Sequence, residues 1–249
     1  MSERVPLMDL LHTMDLAAVG LINPYWLGTN SGQALTSVLD LVLRANTMKM
    51  GPLVLLLLYS WLQPRSGSGL LRSPDLVTRG ALGILLALVA GRLSQILLPM
   101  RARPRFALGE ALFPPTDYAI ELGDWSSMPS DHAMLAASIV VAVWMVSRRL
   151  GLAALAWSLI VVCAPRVYFG VHYLSDILAG LAAGAGIALL AFHAPLPASV
   201  AGLLHRAERQ APALVILGLM MIGWETINLF ATSRRILTLV ARLMNGHIG

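Results

Sequence analysis

Charge is scarce in this chain. Asp, Glu, Lys and Arg supply 12% of its 249 residues, against about 25% in soluble domains, too few to cover a water-facing surface. Apolar residues make up 57% and come in long blocks; between Asp176 and Arg206 there is no Asp, Glu, Lys or Arg. A helix crosses a bilayer with about 20 such residues, so the chain reads as an integral membrane protein. Cysteine occurs once, at Cys163, which excludes an internal disulfide and a multi-cysteine metal site and leaves packing inside a helix as its role. Lysine also occurs once, at Lys49, so arginine provides 17 of the 18 basic side chains. Their excess over the 13 acidic residues suits a phosphate-rich membrane surface, although arginine beside apolar segments is also ordinary topology signalling. Aromatic residues are few and form no stacking platform for nucleic acid; Tyr25, Trp26 and Trp61, near the ends of apolar segments, fit a membrane-interface belt. No clean signal sequence opens the chain, because Asp9, His12 and Asp15 interrupt its first apolar run.

What is present is a series of six apolar segments, roughly 48–63, 78–99, 131–147, 151–168, 172–194 and 211–231, each long and apolar enough to predict a span. The expected fold is therefore all-α, a polytopic transmembrane helix bundle of about six spans. Ahead of it, Leu7 to Ile22 reads as an amphipathic interfacial helix stopped by Asn23-Pro24. Leu35 to Arg44, with Asp40 and Arg44 at i,i+4 spacing, leads into the first span. The organisation predicted is N-terminal interfacial helices over 1–47, a transmembrane domain over 48–231 and a short polar tail over 232–249. If the spans alternate, the basic residues from Arg65 to Arg79, at Arg148-Arg149 and at Arg206 and Arg209 share one side, which the positive-inside rule makes cytoplasmic. The long connection 101–129 carries Pro114-Pro115 and the acids Glu110, Asp117, Glu121 and Asp124; loops of that length are usually functional or disordered.

Ionisable side chains gather at the mouths of these segments, where hydrocarbon tolerates them badly, and that marks a functional site. His172 and Asp176 stand one helical turn apart. A carboxylate there can fix one imidazole nitrogen and leave the other free to attack, making His172 the nucleophile and Asp176 its orienter. Arg166, six residues earlier, brings a planar fork that matches phosphate oxygens. Pro129-Ser130-Asp131-His132 reads as a helix start, with Ser130 or Asp131 as N-cap and free backbone N–H groups that bind an anion. His132, in the first turn, can donate a proton to a departing alkoxide. Arg101, Arg103 and Arg105 add positive charge where the second span ends, and arginine clamps stabilise a transferring phosphoryl group without a metal or other cofactor. The phosphate ligands expected are Arg103, Ser130, Asp131, Arg166 and Arg101. Asp131 would serve through its backbone N–H, or act only as a cap, since its carboxylate repels phosphate. Arg101 and Arg105 could equally anchor to headgroups. Arg92, inside a span, needs a partner or a water path, and Glu225, in the last span, is expected to pair within the bundle.

These residues resemble the type 2 phosphatidic acid phosphatase superfamily of integral membrane enzymes. Arg103-Pro104, Pro129-Ser130-Asp131-His132 and Arg166-x5-His172-x3-Asp176 follow the family's K-x6-R-P, P-S-G-H and S-R-x5-H-x3-D in order and internal spacing, and three such motifs in order are highly specific. The resemblance covers residues 103–176 and, through the six-span arrangement, most of the chain. It implies a phosphohistidine at His172, His132 as general acid, Asp176 as partner, Arg103, Ser130 and Arg166 as phosphate ligands, and a bacterial inner membrane with the site facing the periplasm. Three positions depart from the pattern. Ile96 stands where the family has its opening lysine, with Arg101 or Arg92 as candidate replacements; Asp131 replaces a glycine; Pro165 replaces a serine. The activity expected is a metal-independent phosphatase acting on a lipid phosphate or diphosphate, such as polyprenyl diphosphate or phosphatidate, that enters sideways from the bilayer. Alternatives are a lipid phosphotransferase using the same phosphohistidine and a non-catalytic lipid-phosphate binder.

Overall fold

A computed structural model describes residues 7–26, 30–62, 70–71, 73–116, 118 and 126–231. The tail over 232–249, the basic turn at 63–69 and the acids Asp117, Glu121 and Asp124 lie outside the described residues. Among those described, every regular element is helical: α1 (Leu7–Trp26), α2 (Asn30–Arg44), α3 (Asn46–Trp61), α4 (Pro74–Leu97), α5 (Pro104–Leu108), α6 (Asp131–Trp144), α7 (Arg148–Trp157), α8 (Ala164–Tyr168), α9 (Leu174–His193), α10 (Ala198–Gln210) and α11 (Pro212–Ile227). The starts are written locally. Ser73 and Ser147 cap α4 and α7 by accepting from Leu76 N and Leu150 N, and prolines open α4, α5 and α11, where a missing N–H costs nothing.

All six predicted spans are helices, but they are not equivalent. Three are long and apolar enough to cross a membrane: α4, the run Arg148–Tyr168 and α9. Two more arise if bent pairs count as single spans, α2 with α3 (66°) and α10 with α11 (120°). The expected span at 131–147 is the 14-residue α6, about 21 Å long. It sits at the centre, packed against α3, α4, α7 and α9. Its sequence has no polar face, so burial on all sides is the only arrangement that hides it. Outward-facing Leu190, Met221 and Ile160 are about 70% exposed, as expected of side chains whose solvent is lipid.

α6 and α9 touch backbone to backbone because α9 presents glycine at the crossing. A Cβ on Gly184 would lie 2.1 Å from the Met134 carbonyl oxygen, and one on Gly180 would lie 2.6 Å from that of Ser130. Small residues at such a seam let helices approach closely, and here they bring the start of α6 beside the start of α9. Arg79, at the start of α4, donates to the carbonyls of Phe192 (2.9 Å) and Ala194 (2.6 Å) at the end of α9, so these two helices run antiparallel.

Two local expectations change. Pro24 does not stop α1, which continues to Trp26; a proline this close to the end disturbs only the last turn. Trp61, expected at the interface, is buried against Gly80. Between α7 and α8 the chain makes a π-helical segment, Ser158–Cys163. Pro165 follows it, and the wider turn leaves room where the ring would otherwise clash with a carbonyl of the preceding turn.

Candidate active site

The end of α4, the start of α6, the end of α8 and the start of α9 converge at one end of the bundle, around a cavity of about 460 Å³. Arg92, Arg103, Asp131, His132, Arg166 and His172 all face it. Each is placed by its local sequence. A residue before proline is forced extended, so Arg103 (φ −69°, ψ 151°) caps α5 from outside the helix. Gly170 takes φ +65°, a left-handed turn that an L side chain resists. The Arg166 carbonyl then accepts from both Val171 N (2.9 Å) and His172 N (3.1 Å), which ties the two motif residues together.

His172 is buried and its ring is held at one nitrogen. Nδ1 donates to the Ser127 carbonyl at 2.7 Å, an acceptor only, so Nε2 carries the lone pair. Arg103 Nη1 lies 3.3 Å from that Nε2 and donates to the Val171 carbonyl at 2.9 Å. Asp176 is 3.7 Å from His172 Nδ1, within ion-pair range but beyond a hydrogen bond. The carboxylate predicted to orient the ring therefore acts on it through space, and the backbone of Ser127 holds it. Asp176 instead accepts from Tyr173 N at 2.8 Å, closing the first turn of α9, and pairs with Arg101. His172 lies in the turn before α9. Burial, aided by Arg103 and Arg166 against the pull of Asp176, lowers its pKa below the ordinary histidine value, which keeps the ring neutral and nucleophilic. Burial also lowers the pKa of Arg103, opposed by Asp131.

At the start of α6, Ser130 is the N-cap without a side-chain cap bond. Its Oγ, the Ser127 Oγ, the Arg166 Nε and the His132 Nε2 are all buried without a partner among the described residues. Orphaned polar atoms of this kind carry a desolvation cost of about 1–3 kcal/mol each, and His132 and Arg166 line the cavity, where an oxygen-rich anion would satisfy them. The His132 Nδ1 is 2.8 Å from Asp131 Oδ1, while Asp131 Oδ2 pairs with Arg92 Nη2 at 3.0 Å. Among the described residues no three His, Cys, Asp or Glu side chains gather as metal ligands.

Of the expected phosphate ligands, Arg103, Arg166 and Asp131 line the cavity together, with the Asp131 carboxylate turned to His132 and Arg92, while Ser130 is the neighbouring N-cap of α6 and does not line it. Arg101 does not face the cavity. Its guanidinium is engaged by Asp15 (2.8 Å), Ser175 (2.8 Å) and Asp176, and stacks 4.2 Å over the Tyr173 ring. Arg105 is buried on the Pro114 carbonyl (2.9 and 2.6 Å). Ile96 is 66% exposed and points out of the bundle, whereas Arg92, one turn earlier, reaches the cavity. Lys49, the single lysine, is buried on α3; its Nζ donates to the Leu43 carbonyl and lies 5.3 Å over the Tyr118 ring.

Two participants were missed by sequence reasoning. The Ser127 carbonyl has no side-chain signature. Asp15, read as part of an interfacial helix, is 1% exposed and accepts from Ser175 N (2.8 Å), Ser175 Oγ (2.7 Å) and Arg101. Its signal was its place on the inward stripe with Leu11 and Val19, at helical spacing.

The sequence profile of the PAP2 superfamily matches residues 76–199, from the start of α4 to just past α9, which spans all three motifs and the helices that carry Arg92, His132, Arg166 and Asp176. The chain belongs to the PAP2 superfamily. No curated protein and no solved structure matches it. PAP2 membership supports a phosphatase acting on phosphate esters, and the matched region holds most of the residues that line the cavity, with Asn46, Asn228, Leu229 and Ala231 contributed from outside it.

Proposed function

We propose that this PAP2 protein is a metal-independent phosphatase of a lipid phosphate or diphosphate that works through a phosphohistidine at His172. The observation that carries the reading is the pairing of an oriented His172, with its Nε2 lone pair beside Arg103, and a second histidine whose Nε2 is unpartnered in the same cavity. His172 Nε2 attacks phosphorus and the bond to the leaving oxygen breaks. His132 Nε2 gives that oxygen its proton. Arg103, Arg166 and the Ser130 hydroxyl hold the equatorial oxygens as charge shifts. Water then attacks the phosphohistidine, His132 takes its proton, and phosphate and free His172 are regenerated. The arginines supply charge that other phosphatases draw from a metal. A lipid substrate is supported by the position of the cavity at the end of a bundle with apolar outer walls, where a tail can stay in the bilayer. By analogy with the family, the membrane is a bacterial inner membrane and the cavity opens to the periplasm.

The test is release of inorganic phosphate from a panel of lipid phosphates and diphosphates by the purified protein in detergent with chelator, for wild type and His172→Ala. Release that disappears in His172→Ala is expected. Full release by the variant would overturn the assignment of the nucleophile. Release that appears only as transfer to an added hydroxyl acceptor would replace hydrolysis with phosphotransfer, and binding without turnover would make the protein a receptor.

A further inference from the structure

Resting on the phosphatase reading above, we infer that Asp131 is a positioning residue for His132, so that the site contains two carboxylate–histidine pairs. The family glycine at this position cannot do this. Here Asp131 Oδ1 receives both the His132 backbone N–H (2.7 Å) and the ring Nδ1 (2.8 Å), so one oxygen clamps the residue at two points. A carboxylate only accepts, so it fixes the proton on Nδ1 and aims Nε2 into the cavity. Nε2 is the atom left buried and without a partner.

Electrostatics gives the carboxylate a second task. Burial and the nearby Arg166 of α8 both oppose the imidazolium that a general acid must be. The Asp131 carboxylate offsets them at 2.8 Å. Unpaired, it would also repel an incoming phosphate. Arg92 removes that difficulty by pairing with Oδ2 at 3.0 Å, and Gln95 in turn accepts from Arg92 Nη1 at 3.2 Å and donates to the Pro129 carbonyl at 3.4 Å. The loss of a lysine at Ile96 and the gain of Asp131 thus become parts of one arrangement. The nearest arginine on α4 is committed to a carboxylate, and that carboxylate serves the acid.

A positioned acid matters only when the leaving group needs a proton. The experiment compares kcat/KM for dodecyl phosphate, whose alkoxide must be protonated, with p-nitrophenyl phosphate, whose phenolate leaves without help. It uses the purified full chain as wild type, Asp131→Asn, His132→Ala and the double variant. Asp131→Asn should lose about tenfold to a hundredfold on dodecyl phosphate, a share of what general acids supply, and stay within about threefold on p-nitrophenyl phosphate. In the His132→Ala background the same change should add no further loss on dodecyl phosphate. Equal losses on both substrates, an additive loss in the double variant, or no loss would each overturn the inference. Asp131→Gly, which restores the family residue, serves if Asp131→Asn does not fold and should show the same selectivity. His172→Ala run beside them separates the two readings: if it keeps activity, the phosphatase mechanism fails, whatever Asp131 does.

Discussion

Asp15 ties the N-terminal helix into the chemistry. Its buried carboxylate collects two donors from Ser175 and one from Arg101, which also holds Asp176. Breaking a fully buried pair from one side costs about 3–5 kcal/mol. With the Arg101 side chain 30% exposed, Asp15→Ala should cost about 2–3 kcal/mol, read as a lower midpoint of thermal unfolding in detergent. The pH profile is the second prediction at this scale. His172 must be neutral to attack, and its pKa is depressed by burial. The acid limb of kcat/KM should therefore fall below about 6.5, the ordinary histidine value; an acid limb at or above that value would contradict the burial argument. The histidines, Arg103 and Arg166 were legible in the sequence because ionisable groups at apolar segment ends have few other uses. The Ser127 carbonyl was not, since any residue supplies one, and Arg101 was misplaced because a cation near the site gives no sign of which anion will claim it.

Among the elements, the contact of α6 with α9 sets the distance between the two histidines. Gly184→Ala puts a methyl carbon into the Met134 carbonyl oxygen, and neither backbone can yield without moving its helix. Overpacking of this kind costs about 1–3 kcal/mol, and phosphate release should drop by more than tenfold. Gly186→Ala, two residues on with nothing within 4 Å, should leave stability and phosphate release unchanged. The positions of the six apolar segments were readable within a few residues from apolar runs alone, whereas α10, Ala198–Gln210, was not foreseen. Nor was the standing of α6. An uninterrupted apolar stretch is equally consistent with a lipid-facing span and with a helix enclosed by protein, and only its neighbours decide. The π-helical segment before Arg166 was likewise hidden, because Pro165 announces a disturbance but not its form.

For the whole molecule, the antiparallel run of α4 and α9 puts the cavity at one end and Arg148-Arg149 at the other. Cys163 is buried, so it gives little background to thiol labelling. A cysteine introduced at exposed Glu110, on the cavity side, should react with an impermeant maleimide from outside intact cells, and one at exposed Arg148 only after permeabilisation. The reverse pattern would place the cavity in the cytoplasm. The same molecule also carries its own reporter of opening. Its one lysine is sealed between the Leu43 carbonyl and the Tyr118 ring, so an acylating reagent finds no side-chain amine on the closed bundle. The rate at which Lys49 becomes acylated then times the excursions in which α2 and Tyr118 part from α3, and a substrate that rigidifies the cavity should slow that clock.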